Sequence, residues 1–256
     1  MLHAIPLGMF ARHGFSGTTV FHGAGDPTGL VLLCTVDRGR ALVVGDPQRH
    51  LAPLLELLKS TELRFLFAPP PVADALAGLP GPAGQLLRHR PYEIEQEMVL
   101  LPAHLVPHQA PEGVSVGIAT PANAAAAFVE ELLSFVRGAR AWSGETAASL
   151  ERRMQYGLVC TAAGPEGNLI GAGWGNPALP SHPRLSKLYV AGEWRGRGVG
   201  TALITTMCSE FAASGASAVL AWVRQRDHAG RRAAGKAGFL PGPLWKKIYL
   251  GGTRPA

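Results

Sequence analysis

The sequence predicts a mixed α/β protein built as two units, residues 1–108 and 109–256. Three observations point there. Apolar stretches of strand length alternate with longer stretches of helical period. Pro102, Pro107 and Pro111 punctuate a segment that has the composition of a linker. A tight glycine cluster, Arg195-Gly196-Arg197-Gly198-Val199-Gly200, stands between an extended segment and an amphipathic one.

In the first unit, Leu30 to Val36 and Ala41 to Val44 are expected as strands joined by the turn Asp37-Arg38-Gly39-Arg40, with a helix from His50 to Lys59. Arg64 to Ala68 reads as a further strand. A short helical stretch runs from Pro69-Pro70-Pro71 to Leu79, where Pro80-Gly81-Pro82 stops it, and Tyr92 to Leu101 is extended. This α/β order loosely suggests a degenerate second copy of whatever fold the other unit has; an unrelated cap or substrate-shaping domain is the alternative.

The second unit is easier to read. Gly113 to Ala119 alternates as a strand, and Thr120-Pro121 offers a helix N-cap and a proline at the first helical position. Ala124, Phe128, Leu132 and Val136, with Val129 and Leu133 beside them, form one apolar helical face. A second helix is expected from Ser143 as N-cap to Tyr156, ended by Gly157. Leu158 to Ala163 and Asn168 to Gly175 make a hairpin about Gly164-Pro165-Glu166-Gly167, and Arg184 to Val190 is the next strand. Val199, Leu203, Met207 and Phe211 mark a helix after the glycine loop, closed by Gly215. Ala218 to Val223 is a strand, Asp227 caps a short helix ending at Gly238, and Leu244 to Leu250 is the last strand.

The glycine loop carries the chemistry. A strand, a glycine turn and the first turn of a helix make an anion site, because the helix N-terminus presents unpaired N–H groups and a partial positive charge. Gly196, Gly198 and Gly200 let the backbone approach a phosphate without Cβ atoms in between, and Arg195 and Arg197 add charge. A dinucleotide fingerprint would need its third glycine one residue later and an acid about twenty residues on. A bare G-x-G-x-G is a weak signal by itself: another, Gly171 to Gly175, lies inside a strand, and Gly23 to Gly25 in a turn resembles it less completely.

The stretch Leu188-Tyr189-Val190-Ala191-Gly192-Glu193-Trp194-Arg195-Gly196-Arg197-Gly198-Val199-Gly200 closely resembles the central motif of the GNAT acetyltransferases, and Lys236-Ala237-Gly238-Phe239 resembles that family's terminal G-F. The element order also matches, over roughly 113–250. The resemblance implies a central mixed, splayed β-sheet flanked by helices, and acetyl-CoA as cosubstrate with an amine acceptor as partner. It places the pyrophosphate on the amides of Gly196, Arg197, Gly198, Val199, Gly200 and Thr201, flanked by Arg195 and Arg197. Leu188, Tyr189 and Val190 would hold the pantetheine arm on a strand that splays from 218–223, their amides polarising the thioester carbonyl. Arg224, Arg226, Arg231 and Arg232 are candidates for the 3′-phosphate, with plain solvation as the alternative. Two departures stand out: Asp227 and Ala234 occupy positions where many members have Asn and a proton-donating Tyr. No carboxylate lies on Arg184 to Val190, where a general base often sits, so the catalytic residues are left unassigned.

Composition excludes other classes. Apolar residues are 47% and charged residues 16%, with 32 Gly and 21 Pro, as in a globular protein rich in turns. Apolar runs are too short for a membrane span and no signal peptide is evident, so a cytoplasmic protein is expected. From Ser181 onward twelve Lys or Arg face three acids, a balance of +9, against −3 for the first 180 residues. That basic third suits a polyphosphate ligand; it lacks the aromatic interleaving of a nucleic-acid surface, so no nucleic-acid partner is expected. His104 and His108 have a metal spacing, but Pro102 and Pro107 forbid a regular helix there, so no metal is expected. His182 reads as a loop histidine, with a base beside the acceptor cleft as the alternative, Glu145 as a first-turn acid favouring the helix dipole, with acceptor-amine binding as the alternative, and Cys34, Cys160 and Cys208 as small core residues. A CoA-binding regulatory module without turnover is the competing function.

Overall fold

The computed structural model describes residues 19–22, 32–37, 40–43, 65–138, 145–177 and 180–250. The expected helix from His50 to Lys59 and the Ser143 cap lie outside these. Contacts divide the chain into two compact units, one of residues 1–97 with 243–256, the other of residues 98–242.

In the first unit β1 (Thr19–His22), β2 (Leu32–Asp37) and β3 (Arg40–Val43) form an antiparallel run, and β3 pairs parallel with β4 (Phe65–Ala68). The last strand, β11 (Leu240–Tyr249), begins four residues before the expected Leu244, and its later residues pair antiparallel with β4 from Lys246↔Ala68 to Tyr249↔Phe65. β11 lies between β4 and β5 (Tyr92–Leu100). Helix α1 (Pro70–Gly78) packs Ala73 and Leu76 against Leu66, Ala68 and Ile248. A second helix follows, α2 (Pro82–Arg88), where the sequence suggested only a stop. Pro82 is its first residue, a position where the missing N–H costs nothing, and Gly81 supplies the turn with φ +86°. One face of this sheet holds buried carboxylates: Tyr249 Oη donates to Glu93 Oε2 at 2.7 Å and Trp245 Nε1 to Glu97 Oε2 at 3.2 Å.

The second unit carries the site. Its strands are β6 (Ser115–Ala119), β7 (Leu158–Ala163), β8 (Leu169–Asn176), β9 (Arg184–Val190) and β10 (Val219–Arg224), in spatial order β10-β9-β8-β7-β6. All neighbours are antiparallel except β9 and β10, which are parallel. Helix α3 (Ala126–Gly138) starts later than Thr120 would place it. The reason is local: the Thr120 N–H donates to Asn123 Oδ1 and Asn123 Nδ2 to the Ile118 carbonyl, closing a turn instead. Helix α4 (Ala147–Tyr156) is capped by Thr146, whose hydroxyl and that of Ser149 exchange hydrogen bonds with each other's backbone N–H. Glu145 therefore precedes the cap and is not a first-turn acid.

Helices α3 and α4 bury Val129, Leu132, Leu133, Val136, Leu150 and Met154 on one face of the sheet, against Ala172 and Trp174. Helix α5 (Val199–Ala213) lies on the opposite face, and α6 (His228–Lys236) follows β10 with Asp227 Oδ1 accepting from the Gly230 N–H. The glycines of β8 explain how closely α5 approaches: a Cβ at Gly171 would stand 2.9 Å from Leu203 Cδ1, one at Gly173 2.9 Å from Met207 Cε, and one at Gly175 would collide with Phe211. No helix among the described residues is long and apolar enough to cross a membrane.

Candidate functional site

The glycine loop, the strand before it and the helix after it stand where the sequence put them. A 3₁₀ turn at Gly192–Trp194 links β9 to the loop, and α5 begins at Val199 with Gly198 as N-cap in the left-handed region, φ +97°. The cap contributes no side-chain hydrogen bond, and the first turn of α5 holds no acid. The N–H groups of Val199, Gly200 and Thr201 thus open the helix with no intrahelical partner, the arrangement that favours an anion.

The three glycines of the loop are there for three different reasons. Gly196 has φ +77°, and a Cβ built on it would meet nothing within 4 Å, so the space beside it is open. At Gly198 the space is taken by protein: a Cβ would stand 2.9 Å from Nε2 of His108. At Gly200 a Cβ would make ordinary contacts, 3.6 Å from Leu188 Cδ2 and Val190 Cγ2. Of the three, Gly196 is the one beside which a Cβ would meet nothing. His108 arrives on the segment that also sends the Val106 N–H to the Ala237 carbonyl at 3.1 Å and lays the His104 carbonyl against Gly238. No group of three or more His, Cys, Asp or Glu among the described residues could hold a metal ion.

Arg195 Nε donates to the Val190 carbonyl at 2.9 Å, and its guanidinium lies 5.6 Å from the Tyr189 ring. Arg197 stacks over Trp194 at 5.2 Å. The side chains of Leu188 and Val190 pack with the α5 side of the core, while Tyr189 faces the other way, edge-on to Phe135 at 5.2 Å. Arg224, Arg226 and Arg232 are exposed, and Arg231 Nη2 lies 2.9 Å from His228 Nδ1.

Strand β9 carries two irregularities, a parting from β10 of the kind the resemblance implied and a register shift that sequence reasoning missed. Its parallel register with β10 runs from Leu220↔Arg184 to Ala221↔Leu185 and no further. Its register with β8 jumps from Gly175↔Leu185 to Trp174↔Lys187, which leaves Ser186 as an extra, exposed residue. A bulge thus sits where the two strands part, and bulges re-aim the side chains that follow them.

Lys187 follows the bulge and meets a residue from before α4. Glu145 is only 7% exposed, yet it is surrounded by donors: Ser149 Oγ at 2.5 Å from Oε2, Arg153 Nη2 at 2.9 Å and Lys187 Nζ at 3.6 Å from Oε1. Arg137 donates to the Glu145 carbonyl at 3.1 and 3.2 Å. Burial pushes the Glu145 carboxyl up, but hydrogen bonds from Arg153 and Ser149 and the charges of Arg153 and Lys187 outweigh it and hold the group below its ordinary value. Burial lowers Lys187, opposed by the Glu145 charge and reinforced by Arg153. Arg153 and Lys187 flank the Trp174 ring at 4.2 and 4.9 Å.

Ala234 is 2% exposed within the core that holds Phe239 and Ala237, so a phenol at this position would need that core to rearrange. Tyr156 is 69% exposed at the end of α4, and Tyr249 belongs with the first unit, donating to Glu93. His182 Nδ1 lies 2.8 Å from the neighbouring Ser181 Oγ. Cys160 and Cys208 are buried, and that burial pushes both thiols up to about 12. They are poor nucleophiles.

The model of the Acetyltransferase (GNAT) family matches residues 126–239. Among solved structures, a protein of Drosophila melanogaster shares 16% identity, covering 91% of this chain and 79% of its own, with a TM-score of 0.64. A GCN5-related N-acetyltransferase from Kribbella flavida shares 18% identity over 96% of this chain and 97% of its own, at a TM-score of 0.59. A tandem GNAT protein from the clavulanic acid biosynthesis pathway shares 17% over 96% and 88%, at 0.51. Among curated proteins, none matches the sequence. At these identities the structures speak for the fold, and the family match speaks for the domain: residues 126–239 form an acetyltransferase domain of the GNAT family.

Proposed function

We propose that this chain is an N-acetyltransferase that moves an acetyl group from acetyl-CoA to the primary amine of an acceptor. One observation carries the reading: β9 parts from β10 after Leu185 and Ala221, and the same β9 leads into a loop whose helix opens without a side-chain cap beside the open space at Gly196. These residues fit acetyl-CoA. The amides of 196–201 suit its pyrophosphate, with Arg195 and Arg197 at the flanks. Backbone groups of Leu188, Tyr189 and Val190 border the gap between the strands and suit the pantetheine arm and thioester carbonyl. When bound, acetyl-CoA supplies an activated acyl carbon; the protein supplies position and a place for the developing negative charge.

The expected outcome is release of free thiol from acetyl-CoA when a panel of amines is offered. Tight acetyl-CoA binding without thiol release from any amine would favour a second reading, a CoA-binding regulatory module. The buried Ala234, where many family members carry a proton-donating tyrosine, is the observation that keeps it in view. A cytoplasmic setting and the absence of a nucleic-acid partner belong to the same proposal. It predicts that CoA raises the thermal midpoint of the protein by mass action while duplex DNA does not.

A further inference from the structure

The reaction strand places one ionisable side chain at the point where β9 and β10 separate. Lys187 is the second residue beyond the last β9–β10 pair and the first after the Ser186 bulge, and it lies beside Trp174 on the sheet face opposite α5. Glu145 holds it in place: Arg153 Nη2 stands 2.9 Å and Lys187 Nζ 3.6 Å from the same carboxylate oxygen. The side chain is 35% exposed, so it can still reach a bound molecule.

We propose that Lys187 is the base that takes the acceptor's proton and then returns one to the departing thiolate. This rests on the acetyltransferase reading above. The acceptor arrives as an ammonium and gives one proton to Nζ of neutral Lys187. Its freed lone pair attacks the thioester carbonyl carbon; the C–N bond forms and the C–S bond breaks as sulfur leaves with the electron pair. The Lys187 ammonium protonates that thiolate, and the surplus proton on the new amide nitrogen passes to water. One acetyl group moves, one proton is released, and Lys187 returns neutral. A single residue then covers both the carboxylate missing from β9 and the tyrosine missing at Ala234.

The charged groups around it set its readiness. Glu145 comes from just before α4, Arg153 from α4 itself, and the neutral Trp174 ring from β8. Burial and Arg153 favour the neutral amine; Glu145 opposes them and holds the side chain in place.

The test compares two acceptors in wild type and in Lys187→Arg, which keeps the charge but cannot give up a proton near neutrality. One acceptor is the alkylamine turned over fastest in the amine panel; the other is hydroxylamine, which is already neutral at pH 7. For the alkylamine, kcat/KM should fall by about 10²-fold or more, since a general base is worth roughly 10²–10⁴. For hydroxylamine the loss should be about tenfold or less, with acetyl-CoA affinity unchanged by calorimetry. Equal losses for both acceptors, or no loss for either, overturn the proposal. Lys187→Met repeats the comparison should Lys187→Arg fail to fold. If wild type releases no thiol with any amine, the transferase reading falls and takes this one with it.

Discussion

Replacing the three loop glycines one at a time by alanine should give three different phenotypes, because the added methyl meets something different at each. At Gly196 it enters open space, so the folded state suffers only from forcing a left-handed φ of +77° on an L-residue, about 1–2 kcal/mol. The methyl also stands where a pyrophosphate would approach the backbone, and CoA affinity should drop by at least tenfold, about 1.4 kcal/mol. At Gly198 the same conformational cost is joined by a clash with His108 Nε2, which is 2.9 Å from the added carbon. The total loss of stability should reach about 2–3 kcal/mol, and shortening His108 to Ala in the same chain should recover part of it. At Gly200 the backbone is helical and the nearest side-chain carbons are 3.6 Å away, so alanine should be neutral or stabilise by about 0.4–1 kcal/mol. Urea denaturation gives the stabilities and titration calorimetry with CoA the affinities. A folded Gly196→Ala protein that binds CoA as wild type does, beside a Gly200→Ala protein that has lost it, would refute the assignment of the open space to the cofactor.

Other perturbations follow from the same geometry. Because its partners hold Glu145 below its ordinary pKa, its contribution to stability is present above about pH 4.5 and lost as pH falls through the folded value. Glu145→Gln should cost about 1–3 kcal/mol at pH 7, and the urea midpoints of variant and wild type should converge as pH falls through the folded value. With thiols raised to about 12, Cys160 and Cys208 should resist iodoacetamide in the folded protein at pH 8 and react once it is unfolded in urea, as read by peptide mapping. Phe at Tyr156, Tyr189 or Tyr249 should lower kcat by about tenfold or less where chemistry limits the rate, because none is expected to supply the leaving-group proton. A loss of 10²-fold at any one of them would move the acid there. Tyr249→Phe should in addition destabilise the fold by about 1–3 kcal/mol, since it strips the buried Glu93 of a donor.

The parts of the chain that were legible are those whose signals are local. Strand β9, the glycine loop and α5 follow one another within thirty residues, and alternation, glycine and helical period each point the same way there. Asp227 announced its helix for the same reason. Where two local signals compete, the reading failed: Thr120-Pro121 looks like a cap until Asn123 closes the turn, and Pro82 looks like a stop although it opens α2. The rest was hidden because it is made by distant segments. Nothing near Lys187 in sequence announces Glu145, and nothing near Gly198 announces His108. The bulge at Ser186 depends on the pairing with β8, which the composition of β9 does not encode.

The two ends of the chain share a unit, and that has a consequence for the order of synthesis. Strand β11 stands between β4 and β5, yet most of it is made after every residue of the unit 98–242. On the ribosome β4 and β5 must wait with open edges while about a hundred and forty residues emerge and fold, and only then does their partner arrive. Buried Glu93 and Glu97 wait too, since Tyr249 and Trp245 come with that strand. A fragment cut at residue 109 would therefore keep β11 but strip it of β4 and β5, while the complementary piece would expose two strand edges prone to pair with a neighbour.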